Sequence, residues 1–239
     1  MRRALFTIVP MVLSACAWGL GAASAKAQTQ TPPYAALPAD AAAGTTGAQT
    51  VDGIAARIED DVLTESEVRE LSAFQKLVDG SSKSRVEVIQ ELADQWIMRG
   101  EATTAQFPLP SKEDVDRAYE QFAKQFGSPE EFAKRSDEAG LTKSAIRRIL
   151  EQQLYLARFI GYRFRPAAQV DDKQIAAYYN DEFAVKLKAR GETVPALEDV
   201  EDTIREVLIQ RAISDRAAKW LEETRARLRI DIVAEGVTR

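Results

Sequence analysis

Strand-like patterning occurs at only two places in this chain, one near each end of its patterned stretch, and helix signals fill the span between them. The first is the extended run Gly53–Ile58, followed by a turn at Glu59-Asp60-Asp61 and the apolar pair Val62-Leu63. The second is Ile230-Asp231-Ile232-Val233, which alternates with a period of two. A lone strand leaves its backbone donors and acceptors unsatisfied, so the economical topology pairs the first run with the last. The expected fold is therefore mostly α, a helical body whose small β-sheet joins the two ends of the domain.

The helix starts are written in capping residues. Thr64 with Glu67 forms a capping box, Ser111 is followed by Asp114 three residues on, and Asp171 pairs in the same way with Gln174. Ser128-Pro129-Glu130-Glu131 reads as another box with proline at the first helical position. Thr142 caps a long helix reaching about Phe164. Between the first two starts, a helix over about Ser84 to Ala105 places Val86, Ile89, Ala93, Trp96 and Ile97 on one face, until Phe107-Pro108-Leu109-Pro110 breaks it. In the third helix Val115, Tyr119, Phe122 and Phe126 point inward, and Gly127 ends it. The helix from Asp171 is expected to end near Phe183, with a polar hinge containing Gly191 and Pro195. A last helix then runs from Leu197 to about Leu228.

The N-terminus has the form of a secretory leader. Arg2 and Arg3 precede an apolar stretch from Ala4 to about Leu20, and two A-x-A patterns, Ala23–Ala25 and Ala25–Ala27, follow. Residues 1–27 are read as a signal peptide, residues 28–50 as a flexible Ala/Thr/Gln/Pro tether, and residues 51–239 as one domain. Its patterned part, about 185 residues, is long enough to bury a sizeable core. Leu13-Ser14-Ala15-Cys16 resembles a bacterial lipobox, which makes lipid anchoring through Cys16 an alternative. The apolar run Ala17–Ala22 after it favours an ordinary cleaved leader and release into the periplasm. Losing Arg2, Arg3 and Lys26 with the leader leaves 29 basic and 37 acidic residues, a net charge of −8. Such a body suits neither nucleic acid nor an anionic membrane surface.

The chain contains no histidine, and its one cysteine, Cys16, lies within the leader. A Ser-His-Asp triad, a Cys-His pair, a histidine general base and a His/Cys zinc site are all excluded. The sequence has no phosphate-cradling glycine loop and no G-x-S-x-G elbow. Glu59-Asp60-Asp61 lacks the alternating ligands of a calcium loop, and Glu198-Asp199 with Glu201-Asp202 sits where the helix macrodipole favours acids. No catalytic residue, metal site or cofactor is expected.

The long helix from Thr142 is apolar on two sides in its second half. At 100° per residue, Ile146, Ile149, Leu150, Leu154, Leu156, Ala157, Ile160 and Phe164 gather on one broad face, while Tyr155, Phe159 and Tyr162 collect opposite. Two readings are open. The second half is sandwiched between two layers of helix, or Tyr155, Phe159 and Tyr162, edged by Arg158, Arg163 and Arg165, form a client-binding groove.

In order along the chain, Ile58–Val68, Phe126–Phe132 with Gly140-Leu141 leading into Ile146-Arg147, Val170–Ile175 with Tyr178-Tyr179, and Trp220-Leu221 through Ile230–Ile232 together resemble the SurA-type periplasmic chaperones. The resemblance implies a helical chaperone core that binds unfolded envelope proteins, such as outer-membrane β-barrels, without ATP. In that family one or two parvulin-type prolyl isomerase domains usually follow the segment at Tyr178-Tyr179. Here only about a dozen residues, Lys186 to Pro195, separate the flanking helices, and the histidines of a parvulin site are missing. The resemblance thus implies the chaperone body without the isomerase. A non-catalytic adaptor docking on one folded envelope partner is the competing reading.

Overall fold

The computed structural model describes residues 52–234. The leader, Cys16 and the tether expected at 28–50 lie outside them. Strands β1 (Ile54–Ile58), β2 (Asp61–Thr64) and β3 (Ile230–Ile232) form an antiparallel sheet in the order β2-β1-β3. The first extended run does meet the last: Ala56 pairs with Ile232, Arg57 with Asp231 and Ile58 with Ile230. Val62-Leu63 belongs to a third strand, on the other side of β1. The two-residue turn between β1 and β2 sets Glu59 at φ 51, a left-handed conformation that costs a non-glycine residue about 1–2 kcal/mol. Offsetting that cost, the Glu59 N–H donates to the Arg229 carbonyl at 3.0 Å and its carboxylate accepts from the Arg229 N–H at 2.6 Å. The turn therefore also anchors the arrival of β3.

The helices are α1 (Glu65–Asp79), α2 (Arg85–Thr104), α3 (Lys112–Lys124), α4 (Pro129–Glu138), α5 (Lys143–Phe164), α6 (Asp172–Tyr178), α7 (Ala184–Ala189) and α8 (Leu197–Arg225). Thr64, Ser84, Ser111 and Asp171 each close a reciprocal capping box. Ser128 accepts from the Glu131 N–H in α4 without the reciprocal bond. Three expectations shift. Val86 is 48% exposed, whereas Val88 and Ile89 beside it pack into the cluster formed with the sheet. The helix from Asp172 does not stop at Phe183; it passes through a π-helical turn (Tyr179–Phe183) into α7. The last helix ends at Arg225, three residues before Leu228.

Four apolar clusters make up the core, and α5 contributes to three of them. Ile146 and Leu150 join α1, α3 and α4; Tyr155, Leu156 and Phe159 join α2; Ile160 joins α8. The fourth packs the sheet on α1 and α2. Where α8 ends, Arg225 reaches the buried Asp94 of α2, its Nε 2.9 Å from Oδ1 but poorly aligned for a hydrogen bond, and Nη2 donates to Oδ2 at 3.4 Å. Burial pushes the Asp94 carboxyl up to about 6. Arg225 offsets this only in part, and Glu91 beside it pushes further.

Two predictions follow from these contacts. Ending the chain before Arg229 removes β3 and the Glu59 anchor, so the whole domain should lose about 3 kcal/mol, the worth of two or three net hydrogen bonds with the packing of Ile230, measured as a lower urea midpoint. Unchanged stability would show that β3 closes nothing. For Asp94, the folded carboxyl binds its proton before the unfolded one. Stability should therefore rise by about 2–3 kcal/mol as pH falls from 7 toward 4, and Asp94→Asn should flatten that rise. No histidine titrates in this window. Carboxylates with lowered pKa, such as Glu182 at about 2 under Arg211 and Lys186, act with the opposite sign from about pH 5.5 downward, so the Asp94 contribution is read as the difference between wild type and Asp94→Asn.

Candidate functional site

The aromatic stripe of α5 does not form one surface. Tyr155 is 7% exposed and Phe159 only 1%, whereas Tyr162 is 65% exposed. The α2–α3 connector covers the first two. Gln106, at φ 51, turns the chain so that the Phe107 N–H donates to the Ala102 carbonyl at 2.9 Å. The Phe107 ring then lies 5.8 Å from Tyr155, 5.7 Å from Phe159 and 5.3 Å from Tyr162, centroid to centroid. The Tyr155 hydroxyl donates to the Phe107 carbonyl at 3.3 Å.

The groove of Tyr155, Phe159 and Tyr162 is therefore corrected: two of its members are core, and only Tyr162 faces solvent. Its flanking arginines are engaged as well. Arg158 pairs with Asp114 on α3, Arg163 with Glu101 on α2 and Arg165 with Glu206 on α8. Arg158 holds the Asp114 carboxyl well below the usual carboxylate range.

A concave surface exists instead at the other end of α5. Gly127, at φ 84, reverses the chain after α3, and Ser128 with Pro129 starts α4 at once. Gly140, at φ 71, ends that helix, and the Leu141 N–H returns to the Ser136 carbonyl at 2.9 Å. Thr142 then caps α5, accepting from the Ala145 N–H at 3.1 Å. A ten-residue helix is thus held between two glycine turns, against the C-terminal part of α3 and the first turns of α5.

These three helices leave about 550 Å³ unfilled between them. The walls are Tyr119 and Ala123 of α3, Phe132 and Ala133 of α4, and Leu141 and Ile146. Phe132 is the hub, with Tyr119 edge-on at 5.7 Å, Phe122 edge-on at 5.8 Å and Phe126 at 5.1 Å. Lys124, Lys143 and Asp137 also line the cavity. The Lys143 ammonium sits 5.3 Å from the centre of the Tyr119 ring, and the Arg147 guanidinium 5.7 Å from it. Phe132, Leu141 and Ile146 are themselves buried and form the floor, so an entering apolar side chain would meet chiefly Tyr119, the alanines and the exposed Lys124 and Lys143.

The acidic clusters hold structural positions. Asp61 accepts from Trp96 Nε1 at 2.9 Å beside the hairpin turn, and Glu198 and Asp199 occupy the first turn of α8. Among the described residues no group of three or more acidic side chains is arranged to hold a metal ion. No protein-family model matches this sequence, and no curated protein matches it. Reading by periodicity missed Ala123, Lys124, Ala133 and Lys143, since small and cationic residues add nothing to an apolar stripe. The available signal was a short capped helix between Gly127 and Gly140.

Phe159→Ser should destabilise the domain by about 3–5 kcal/mol, because it empties a filled core site and strands a hydroxyl. Tyr162→Ser should change stability by less than about 1 kcal/mol. Thermal melts of the two variants check this; equal losses would contradict the division of the stripe.

Proposed function

We propose that this chain is an exported, ATP-independent chaperone that binds extended apolar segments of unfolded envelope proteins, outer-membrane β-barrels among them, without prolyl isomerase activity. The observation that carries this reading is the open concavity between α3, α4 and α5, floored by the buried Phe132 and walled by Tyr119, Ala123 and Ala133, with the exposed Lys124 and Lys143 in its lining. Apolar burial drives such binding, and no nucleotide is required. Three further features support it: the leader-like N-terminus, the SurA-like order of motifs, and the absence of histidine. Between α6 and α8, where that family carries parvulin domains, the chain has a π-helical turn, the short α7 and a seven-residue turn at 190–196. Periplasmic release by leader cleavage is the compartment proposed, with anchoring through Cys16 as the alternative.

The test is aggregation of an unfolded outer-membrane barrel protein, followed by light scattering with the mature chain added. Near-stoichiometric protein should suppress scattering. Ala133→Trp, an exposed helix position in the cavity wall, should remove most of the effect while the melting temperature stays close to wild type. An X-Pro peptide assay on the same sample should give the uncatalysed rate, tens to hundreds of seconds at 25 °C. Failure to suppress aggregation, together with saturable binding to one folded envelope protein, would favour the adaptor instead.

A further inference from the structure

We infer that the α3–α4–α5 concavity selects extended segments in which a large apolar side chain has a carboxylate beside it, the apolar group entering the cavity and the carboxylate meeting Lys143 and Lys124. The inference rests on the reading that this concavity receives client segments, and it adds charge selection to it. Its volume, about 550 Å³, is within the range of pockets that enclose a ligand group, roughly 300–1,000 Å³.

The charges that face it favour an anion. Lys124 and Lys143 line it, and neither forms an ion pair with a described residue; the one acid in the lining is Asp137. Of the neighbouring charges, Arg147 pairs with Asp116, which also lies within electrostatic reach of Lys143, and Glu131 pairs with Arg135.

The backbone contributes in the same direction. Glu65, Glu87, Glu113, Glu130 and Glu198 stand in the first turns of α1, α2, α3, α4 and α8, where acids complement the positive end of the helix. The first turn of α5 has no acid and begins with Lys143. A chain with a net charge of −5 thus gathers positive potential at one apolar opening. An incoming carboxylate supplies the complement the fold leaves out, and the adjoining aliphatic or aromatic side chain covers the half-exposed Tyr119 and the alanines at 123 and 133.

The test uses fluorescence anisotropy of two labelled nonapeptides that share a Gly/Ser frame and a central Phe-Leu pair, one flanked by Asp and the other by Lys. With the mature wild-type chain, the Asp peptide should bind at least fivefold more tightly at low salt, and the ratio should shrink toward one in 1 M NaCl, where the screening length is about 3 Å. The double variant Lys124→Glu/Lys143→Glu should reverse the preference. Ala133→Trp should weaken both peptides at least tenfold. All three positions are exposed, and circular dichroism melts confirm that the variants are folded. Equal affinity for the two peptides, both lost in Ala133→Trp, overturns charge selection and leaves the client site standing. An Asp preference that survives the double charge reversal also overturns it. Binding that Ala133→Trp leaves intact, or no binding of either peptide to wild type, overturns the site and the inference together.

Discussion

Everything in this domain is arranged around the burial of α5 on more than one side. A surface helix turns a single apolar stripe inward, but α5 sends Ile146 and Leu150 one way, Phe159 another and Ile160 a third, into three of the four apolar clusters. Burying side chains of this size stabilises by about 1.5–3 kcal/mol each, so these contacts dominate. The four arginines of α5, and Arg165 just after it, act differently. Arg147 and Arg158 reach α3, Arg148 reaches Glu70 on α1, Arg163 reaches α2 and Arg165 reaches α8. Half-exposed pairs of this kind are worth at most about 1 kcal/mol each. Their contribution is to fix which face each neighbour turns toward the central helix.

The two ends of α5 have opposite fates for one local reason. Toward its C-terminal half, the connector Phe107–Pro110 is long enough to lay a phenylalanine across the aromatic stripe, and the stripe becomes core. Near its N-terminus the neighbours are the end of α3 and the ten-residue α4, which Gly127 and Gly140 clamp at both ends. Alanines at 123 and 133 on the facing walls cannot reach across, so the space above Phe132 stays open. Cover and cavity follow from what the two connecting segments carry.

Much of the fold was legible because it is written in local chemistry. The caps at Thr64, Ser111, Asp171 and Thr142 depend only on residues three apart, and each starts its helix where the sequence says. The pairing of β1 with β3 was legible for a different reason: two lone strands have only each other to satisfy their backbones. Features set by tertiary context were not legible. Val86 has the period of a buried residue but is 48% exposed, while Arg85 beside it pairs with Glu65 of α1 and Val88 is buried. Phe183 looks like a helix end, yet Arg211 pairs with Glu182 and stacks on Tyr178, tying the π-helical turn to α8. For Tyr155 and Phe159 the sequence left both core and groove open, since periodicity says that a face is apolar and not what covers it. The cover is Phe107, about fifty residues away.

The same reasoning explains why an aromatic concavity persists in a domain that could have filled it. One or two larger aliphatic side chains on α3 or α4 would bury apolar area now left open to water around Phe132, each at a gain of roughly 25 cal/mol per Å². Alanine at 123 and 133 forgoes that gain, and the first turn of α5, unlike those of α1, α2, α3, α4 and α8, carries no acid beside its cation Lys143. Natural sequences depart from their most stable form chiefly where a site requires it, and here two departures, one of volume and one of charge, converge on one opening. The buried Asp94–Arg225 pair is a third, but it lies where α8 meets α2, away from that opening, and its consequence is a pH-dependent stability. Ion pairs clamp α5 along its length, and the sheet locks the chain ends. Between α3 and α4 themselves the contact is made by the rings of Tyr119, Phe122 and Phe126 on Phe132, and the opening lies beside that contact where the two alanines stand.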